Sequence, residues 1–312
     1  MVLDTQVDPL WRQVLPGISP DGRPATTASV EVIDLKTDGS GAPCPFYNDP
    51  VNWRRRLNKN LVDKVHLFLP GDRSHILRTF AGGAVEMNLH ITGRLEQSVL
   101  KSLVLTQSRI ARIFCPGKFI ARQLTQAGIA STKITVEIPK VNALPTSAER
   151  RRQIRRQLQN TKTGPVLLAL NVPQNAKALN ALIWAVALTG HLIPQLTLVI
   201  AGACSRAEKN RILSWQHFMD LEHTVHLEPE NFLWHELVDA CDAVIAGPTP
   251  TTEAIRLLSA RALNQHIIAP QGYYDEYLND YPKTHIAPSP EPRPLAQTLV
   301  QFLDNKKSIY LK

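Results

Sequence analysis

Short apolar segments alternate with amphipathic segments along most of the chain, and this alternation limits the fold more than any other feature. The segment Val166–Leu170 contains only apolar side chains, which is typical of a strand buried on both faces of a parallel sheet. Similar short runs recur after helical segments, both downstream and in the region before residue 142. The pattern predicts an α/β fold in which parallel sheets are flanked by helices.

A proline-flanked break at residues 139–148 divides the alternating pattern into two parts. A chain of 312 residues is longer than one hydrophobic core usually supports. We therefore predict an irregular lead-in over residues 1–28, a shortened N-terminal lobe over 29–142 and a C-terminal lobe over 143–312. The lead-in is assigned because this stretch is rich in proline and glycine and lacks periodicity.

Composition narrows the classes of partner and cofactor. The formal net charge of +8 favours an anionic partner. No zinc-finger spacing and no aromatic-rich RNA-binding strand occurs, so no nucleic acid is expected. The four cysteines are scattered without a Cys-x-x-Cys pair, and neither a disulfide framework nor a metal site is expected. No apolar run reaches the ~18 residues that span a bilayer, and no signal-peptide pattern opens the chain, so we expect a cytoplasmic protein.

The order and spacing of the elements resemble the family-4 retaining glycosyltransferases, which have the GT-B fold of two Rossmann-like lobes. The resemblance extends from about residue 111 to residue 302. It implies an N-terminal lobe on the acceptor side and a C-terminal lobe that binds a nucleotide-sugar donor, with no separate cofactor. The segments that carry it are, in order, Ile113–Ile138, Val166–Lys177, Leu196–Gly202, Phe232–Ile245, His266–Ala269 and Ile286–Leu303.

The family's pair of catalytic glutamates is absent from this chain. An ungapped alignment over Cys241–Ala269 places Thr251 and Ser259 where the family has these two carboxylates. Glu253 lies two positions after the first, which turns it by roughly 200° on a helix. Glu253 is therefore a weak substitute, and a first-turn glutamate that complements the helix dipole is the alternative. The catalytic residue is left unassigned.

The resemblance implies donor contacts at several further positions. Lys177 stands where the family presents a lysine to the diphosphate, while Asn171 occupies the position of the family's arginine. His90 resembles a histidine that relatives keep near the donor sugar. Lys177 and His90 also have ordinary structural interpretations, as a helix N-terminal residue and as a core histidine. The complete predicted donor site is Asn171, Lys177, Gly202, Thr249, Thr251, Thr252 and Ser259, with His90 in the cleft.

Two functions follow from these observations. The first is transfer of a sugar from a nucleotide-sugar donor to an unknown acceptor. The second is a catalytically degenerate relative, a pseudoenzyme that binds a sugar, a nucleotide or a partner protein without turnover. The missing glutamates favour the second function, and the retained lysine with the layout of the donor lobe favours the first.

A basic helix adds a hypothesis about location. The segment Glu149–Leu158 carries five arginines, and the segment Trp53–Arg56 adds three more beside a tryptophan. Such segments are usually solvated faces, but they also suit an anionic membrane surface or a lipid-linked acceptor. Peripheral attachment to a membrane is thus the alternative to a freely cytoplasmic protein.

Overall fold

The computed structural model describes residues 2–3, 33–34, 64–69, 77, 86–92, 95, 97–141, 145–159, 163–170, 176–201, 206–228, 232–247 and 254–310. The chain divides into two compact units, Met1–Val141 and Asn142–Lys312. The division lies one residue from the boundary at 142/143 that the proline-flanked break predicts.

The first unit is built on a parallel sheet. Among the described residues its strand order is β2-β1-β3-β4-β5-β6. One strand corrects the sequence analysis, because Val2–Leu3 lies inside the predicted irregular lead-in and yet pairs with both β2 and β3. Two residues are too few to show a period in sequence. The strands are β1 (Val2–Leu3), β2 (Ile33–Asp34), β3 (Lys64–Leu69), β4 (Glu86–Ile91), β5 (Ile110–Cys115) and β6 (Ile134–Val136).

Helices α1 (Gln97–Thr106) and α2 (Lys118–Gln126) contribute to the core of this sheet. Their apolar sides bury residues such as Val99 and Leu124, which are fully inaccessible. Gly128 follows α2 with a φ of +96°, a backbone conformation that favours glycine and ends the helix where the sequence predicts.

The second unit contains another parallel sheet, whose strand order among the described residues is β12-β11-β10-β7-β8-β9. Counted from its own first strand and read from the other edge, this is the order 3-2-1-4-5-6 of a doubly wound Rossmann sheet. The strands are β7 (Val166–Ala169), β8 (Thr197–Ala201), β9 (Val225–Glu228), β10 (Ala243–Ile245), β11 (His266–Pro270) and β12 (Thr284–Ala287).

Helices cover both faces of this sheet. Side chains of a strand alternate between faces, so Leu167 and Ala169 join one core cluster while Val166 and Leu168 join the other. All four are essentially inaccessible, which explains the unbroken apolar sequence. The helices are α3 (Ala148–Gln159), α4 (Ala176–Leu192), α5 (Arg206–Phe218), α6 (Trp234–Ala240), α7 (Ala254–Ala262), α8 (Asp275–Leu278) and α9 (Pro292–Tyr310).

The predicted fold class, two Rossmann-like α/β units with parallel sheets, is confirmed. Helix α8 and strand β12 were missed in the sequence. The first is a single turn, and the alternating Thr284–Ala287 is only four residues long, with one buried side chain. Among the helices that the structure describes, none combines the length and apolar character needed to cross a bilayer.

Candidate functional site

The candidate site lies where the strand order of the second sheet reverses. Strands β7 and β10 are neighbours there, with Leu168 opposite Val244 and Ala169 opposite Ile245. The chain leaves β7 toward one flank of the sheet and β10 toward the other, which opens a crevice at the carboxyl ends of the two strands. Open α/β sheets bind their ligands in such crevices.

Arg256 fixes the end of β7. Its Nη1 donates a hydrogen bond to the carbonyl oxygen of Leu170 at 3.0 Å, and Leu170 is the last described residue before α4. The guanidinium carbon lies 4.7 Å from the centroid of the Trp234 ring, within cation–π range. Because Arg256 belongs to the first turn of α7 and Trp234 begins α6, the two helices and β7 meet at this one side chain.

Tyr274 fixes the end of β10 in a comparable way. Its hydroxyl donates to the carbonyl oxygen of Gly247 at 2.8 Å, and the residue is only 1% exposed. Tyr274 reaches this position from the turn after β11, where Gly272 adopts a φ of +82°. The same turn is closed by the Gly272 amide, which donates to Asp275 Oδ1 at 3.3 Å. The two backbone segments that border the crevice are therefore each held by a buried or partly buried side chain.

The fold is similar to those of several solved glycosyltransferases. HepE of Anabaena, solved in complex with UDP-glucose, is 16% identical over 89% of this chain and 77% of its own, with a TM-score of 0.70. A glycosyltransferase of Rickettsia africae is 15% identical over 90% of this chain and 76% of its own, with a TM-score of 0.62. WaaG, a glycosyltransferase involved in lipopolysaccharide biosynthesis, is 15% identical over 89% of this chain and 78% of its own, with a TM-score of 0.59.

The chain has the GT-B fold. No protein-family model and no protein of curated function matches the sequence. At these identities the similarity concerns the fold, and the site must be argued from its own residues.

Lys177 is an exposed residue in the first turn of α4, the helix that follows β7. Its contact with a diphosphate stays a prediction. A cation at a helix N-terminus opposes the helix dipole, so its placement costs stability unless an anion is nearby. Asn171, Gly202, Thr249, Thr251, Thr252 and Glu253 fall outside the described residues, and their roles stay predictions.

Ser259, aligned with the second family glutamate, is 0% exposed inside α7. Its Oγ has no hydrogen-bond partner among the described residues. A carboxylate at this depth would need a hydrogen-bonding or ionic partner to offset its desolvation. The proposed donor contact of Ser259 stays a prediction.

His90 lies in β4 of the first unit. Its Nε2 is 2.9 Å from His66 Nδ1, and its ring stacks on Phe114 with centroids 4.7 Å apart. Burial, together with the repulsion of a charged His66, lowers the pKa of His90 to about 3, so the imidazole is neutral at physiological pH. The contact of His90 with a donor sugar stays a prediction.

Three of the five arginines of the basic helix α3 face carboxylates of the same chain. Arg150 Nε lies 2.9 Å from Glu236 Oε1, Arg151 Nη1 lies 3.6 Å from Asp239 Oδ1, and Arg155 pairs with Asp242. These contacts fasten α3 to α6 and to the start of β10.

Within the described ranges, no group of three or more His, Cys, Asp or Glu side chains is placed to hold a metal ion.

Sequence reasoning missed Arg256, Trp234 and Tyr274. Arg256 could have been identified from sequence, because it lies in the first turn of a helix that follows a Gly-Pro turn, and that turn comes directly after the carboxyl end of a strand. The two aromatic residues lie far along the chain from their partners, Trp234 from Arg256 and Tyr274 from Gly247, and nothing in the local sequence indicates these contacts.

Proposed function

We propose that this chain binds a nucleotide sugar at the crevice between β7 and β10, and that it transfers the sugar to an acceptor. The observation that carries the proposal is the reversal of strand order at this crevice, with Lys177 at the start of α4 beside it. A diphosphate suits such a place, because the backbone amides of a helix N-terminus and a neighbouring cation both attract an anion. HepE, which shares the fold, has been solved with UDP-glucose.

The chemistry available to the site is electrostatic. Cleavage of a nucleotide sugar transfers negative charge to the departing diphosphate. Cations already fixed beside the diphosphate lower the activation barrier, because they need not move during the reaction. Lys177, in the first turn of α4, would supply such a cation. Neither aligned glutamate position carries a carboxylate, so we expect turnover to be slow.

A degenerate relative that binds without turnover is the second candidate. The burial of Ser259 favours it, because helix α7 keeps its packing at the position where the family has a sugar-binding carboxylate. Nucleotide binding with no consumption of donor would identify this case.

Calorimetric titration separates these outcomes. The chain and its Lys177→Ala variant are titrated with UDP, GDP and ADP and with UDP-glucose, and donor hydrolysis is followed in parallel. Loss of one charge-assisted contact should weaken nucleoside-diphosphate binding by about 10-fold or more.

The matched control is Lys283→Ala. Its ammonium donates to the Asn264 carbonyl at 2.8 Å, beside the amino end of β11 and so at the opposite edge of the sheet. Equal affinity of the Lys177→Ala variant and the unchanged chain would place the ligand elsewhere. No binding of any nucleotide at millimolar concentration would refute the proposed function.

A further inference from the structure

We infer that Arg256 is a second cation for the diphosphate of the donor, in place of the arginine that Asn171 replaces. The inference rests on the proposed function and deepens it. It concerns a side chain of α7 rather than the segment after β7, where the family resemblance places its arginine.

The position of Arg256 supports this role. Its Nη1 is 3.0 Å from the carbonyl oxygen of Leu170, the peptide from which the chain enters residues 171–175. The guanidinium is therefore within one hydrogen bond of the backbone that leads to Asn171 and Lys177, at which the family resemblance places the diphosphate contacts. It reaches this place from the helix that follows β10, so it approaches the crevice from the side opposite Lys177.

The guanidinium is also restrained by two contacts. The Trp234 ring lies 4.7 Å from its central carbon, and Nη1 donates to the Leu170 carbonyl. A planar cation with five N–H donors can bind a backbone oxygen and an anion together, which an ammonium group does less well. An arginine oriented before the ligand arrives loses less conformational freedom on binding.

A purely structural role for Arg256 can be separated from ligand binding because α7 carries a second, similar arginine. Arg261 Nη1 donates to the Tyr277 carbonyl at 2.6 Å, and its guanidinium lies 5.6 Å from the Tyr281 ring. The Tyr281 hydroxyl in turn binds the Gln265 carbonyl, immediately before β11. Arg261 therefore makes the same kinds of contact at the amino edge of the sheet, away from the crevice.

The experiment compares Arg256→Gln and Arg256→Lys with the control Arg261→Gln. Each protein is titrated with UDP, GDP and ADP and with the matching nucleosides uridine, guanosine and adenosine, and its thermal unfolding is recorded. We expect Arg256→Gln to weaken binding of the preferred diphosphate by about 10- to 100-fold and to leave nucleoside binding unchanged. Arg256→Lys should recover part of the loss, and Arg261→Gln should lower the unfolding temperature without changing diphosphate affinity.

Three results would overturn the inference. Unchanged diphosphate affinity in Arg256→Gln would show that Arg256 does not bind the diphosphate. An equal loss of affinity for diphosphate and nucleoside would show that the role of Arg256 is structural. If Arg256→Gln does not fold, an equal loss of diphosphate and nucleoside affinity in Arg256→Lys would make Arg256 a structural residue. Failure of the unchanged chain to bind any of the nucleotides would instead refute the proposed function, and this inference with it.

Discussion

Asp242 and Arg155 form a partly buried ion pair at the amino edge of the second sheet, with Arg155 Nη2 2.5 Å from Asp242 Oδ2. The same carboxylate accepts a hydrogen bond from the Val166 amide at 2.8 Å, and its other oxygen accepts one from Lys306. One side chain thus connects α3, the start of β7 and the C-terminal helix α9. Burial alone would raise the pKa of Asp242, but the hydrogen bond and charge of Arg155, together with Lys306, hold it below its usual value.

Replacement of Asp242 by asparagine should lower the free energy of unfolding by roughly 3 kcal/mol at pH 7, because it leaves two cations without their carboxylate. The lowered pKa means that this stabilisation is present above about pH 4 and is lost as the carboxylate protonates at lower pH. Urea unfolding at pH 7 measures the difference. Asp280→Asn, at an exposed position, is the control. A loss of unfolding free energy in Asp242→Asn no larger than in this control would show that the contacts of Asp242 do not stabilise the fold.

The sequence indicated the place of Asp242 but not its role. The pair Cys241-Asp242 served to align the chain with the glycosyltransferase family, and it does precede a strand, as predicted. Its partners lie 87, 76 and 64 positions away, so only the folded chain brings them together. Local patterns of apolar residues predicted most elements of the second unit, whereas pairings across such distances left no local signal.

The hydrogen bond from Tyr274 to Gly247 should matter for both stability and binding. Tyr274→Phe removes the hydroxyl and leaves the Gly247 carbonyl without this donor, which should cost about 1–2 kcal/mol of unfolding free energy. Because the turn after β10 borders the crevice, we also expect nucleoside-diphosphate affinity to fall by about 2- to 10-fold. Chemical unfolding and calorimetric titration give the two values.

The matched control for this prediction is Tyr281→Phe. The Tyr281 hydroxyl also donates to a backbone carbonyl, that of Gln265 at 2.6 Å, but at the amino edge of the sheet. A similar loss of stability with unchanged affinity is expected. If both variants reduced affinity alike, the effect would come from general destabilisation rather than from the crevice.

Parts of the candidate site could be predicted and parts could not. Lys177 was identified because it follows an apolar strand at a spacing that the family resemblance supplies, and the structure places it in the first turn of α4. The alignment by spacing puts Ser259 inside a helix, where the structure also has it, yet its side chain is fully buried. An alignment fixes the position along a helix, but the direction of a side chain depends on how that helix packs on the sheet.

The neutral imidazole of His90 should make the protein sensitive to mild acid. Because the pKa of His90 is lowered to about 3 in the folded chain, the unfolded chain binds the proton first as pH falls below about 6.5. The stabilisation is therefore present above pH 6.5 and is lost progressively toward pH 3. Between pH 7 and pH 5 the linkage amounts to about 2 kcal/mol for this residue.

His90→Asn should reduce this acid dependence by about the same amount, measured as the difference in unfolding free energy between pH 7 and pH 5. His191→Gln, at an exposed position of α4, should leave the dependence as it is. A second pair, His266 and His285, will maintain part of the pH dependence of the unfolding free energy in both variants, because burial also lowers their pKa values. An unchanged slope in His90→Asn would show that His90 is protonated alike in both states.

The charge that α3 can present to an anionic membrane is smaller than its arginine count suggests. Arg150, Arg151 and Arg155 face carboxylates, and the exposed arginines of α3 for which the described residues provide no ion pair are Arg152 and Arg156. At roughly 1 kcal/mol each, two cations give about 2 kcal/mol, which is too little for stable attachment. We expect weak sedimentation with anionic vesicles at low salt, none at about 0.15 M salt, and none with neutral vesicles.

The double variant Arg152→Glu/Arg156→Glu should abolish the low-salt binding without altering the unfolding temperature, since neither residue belongs to the ion pairs that fasten α3. Arg150→Gln is the contrasting variant, because it breaks the pair with Glu236 and should affect stability more than vesicle binding. Sedimentation that persists in the double variant would assign membrane attachment to another surface, the predicted basic segment Trp53–Arg56 among them, which lies outside the described residues. Strong binding at 0.15 M salt that the double variant loses would instead mean that the paired arginines exchange their carboxylates for lipid phosphates.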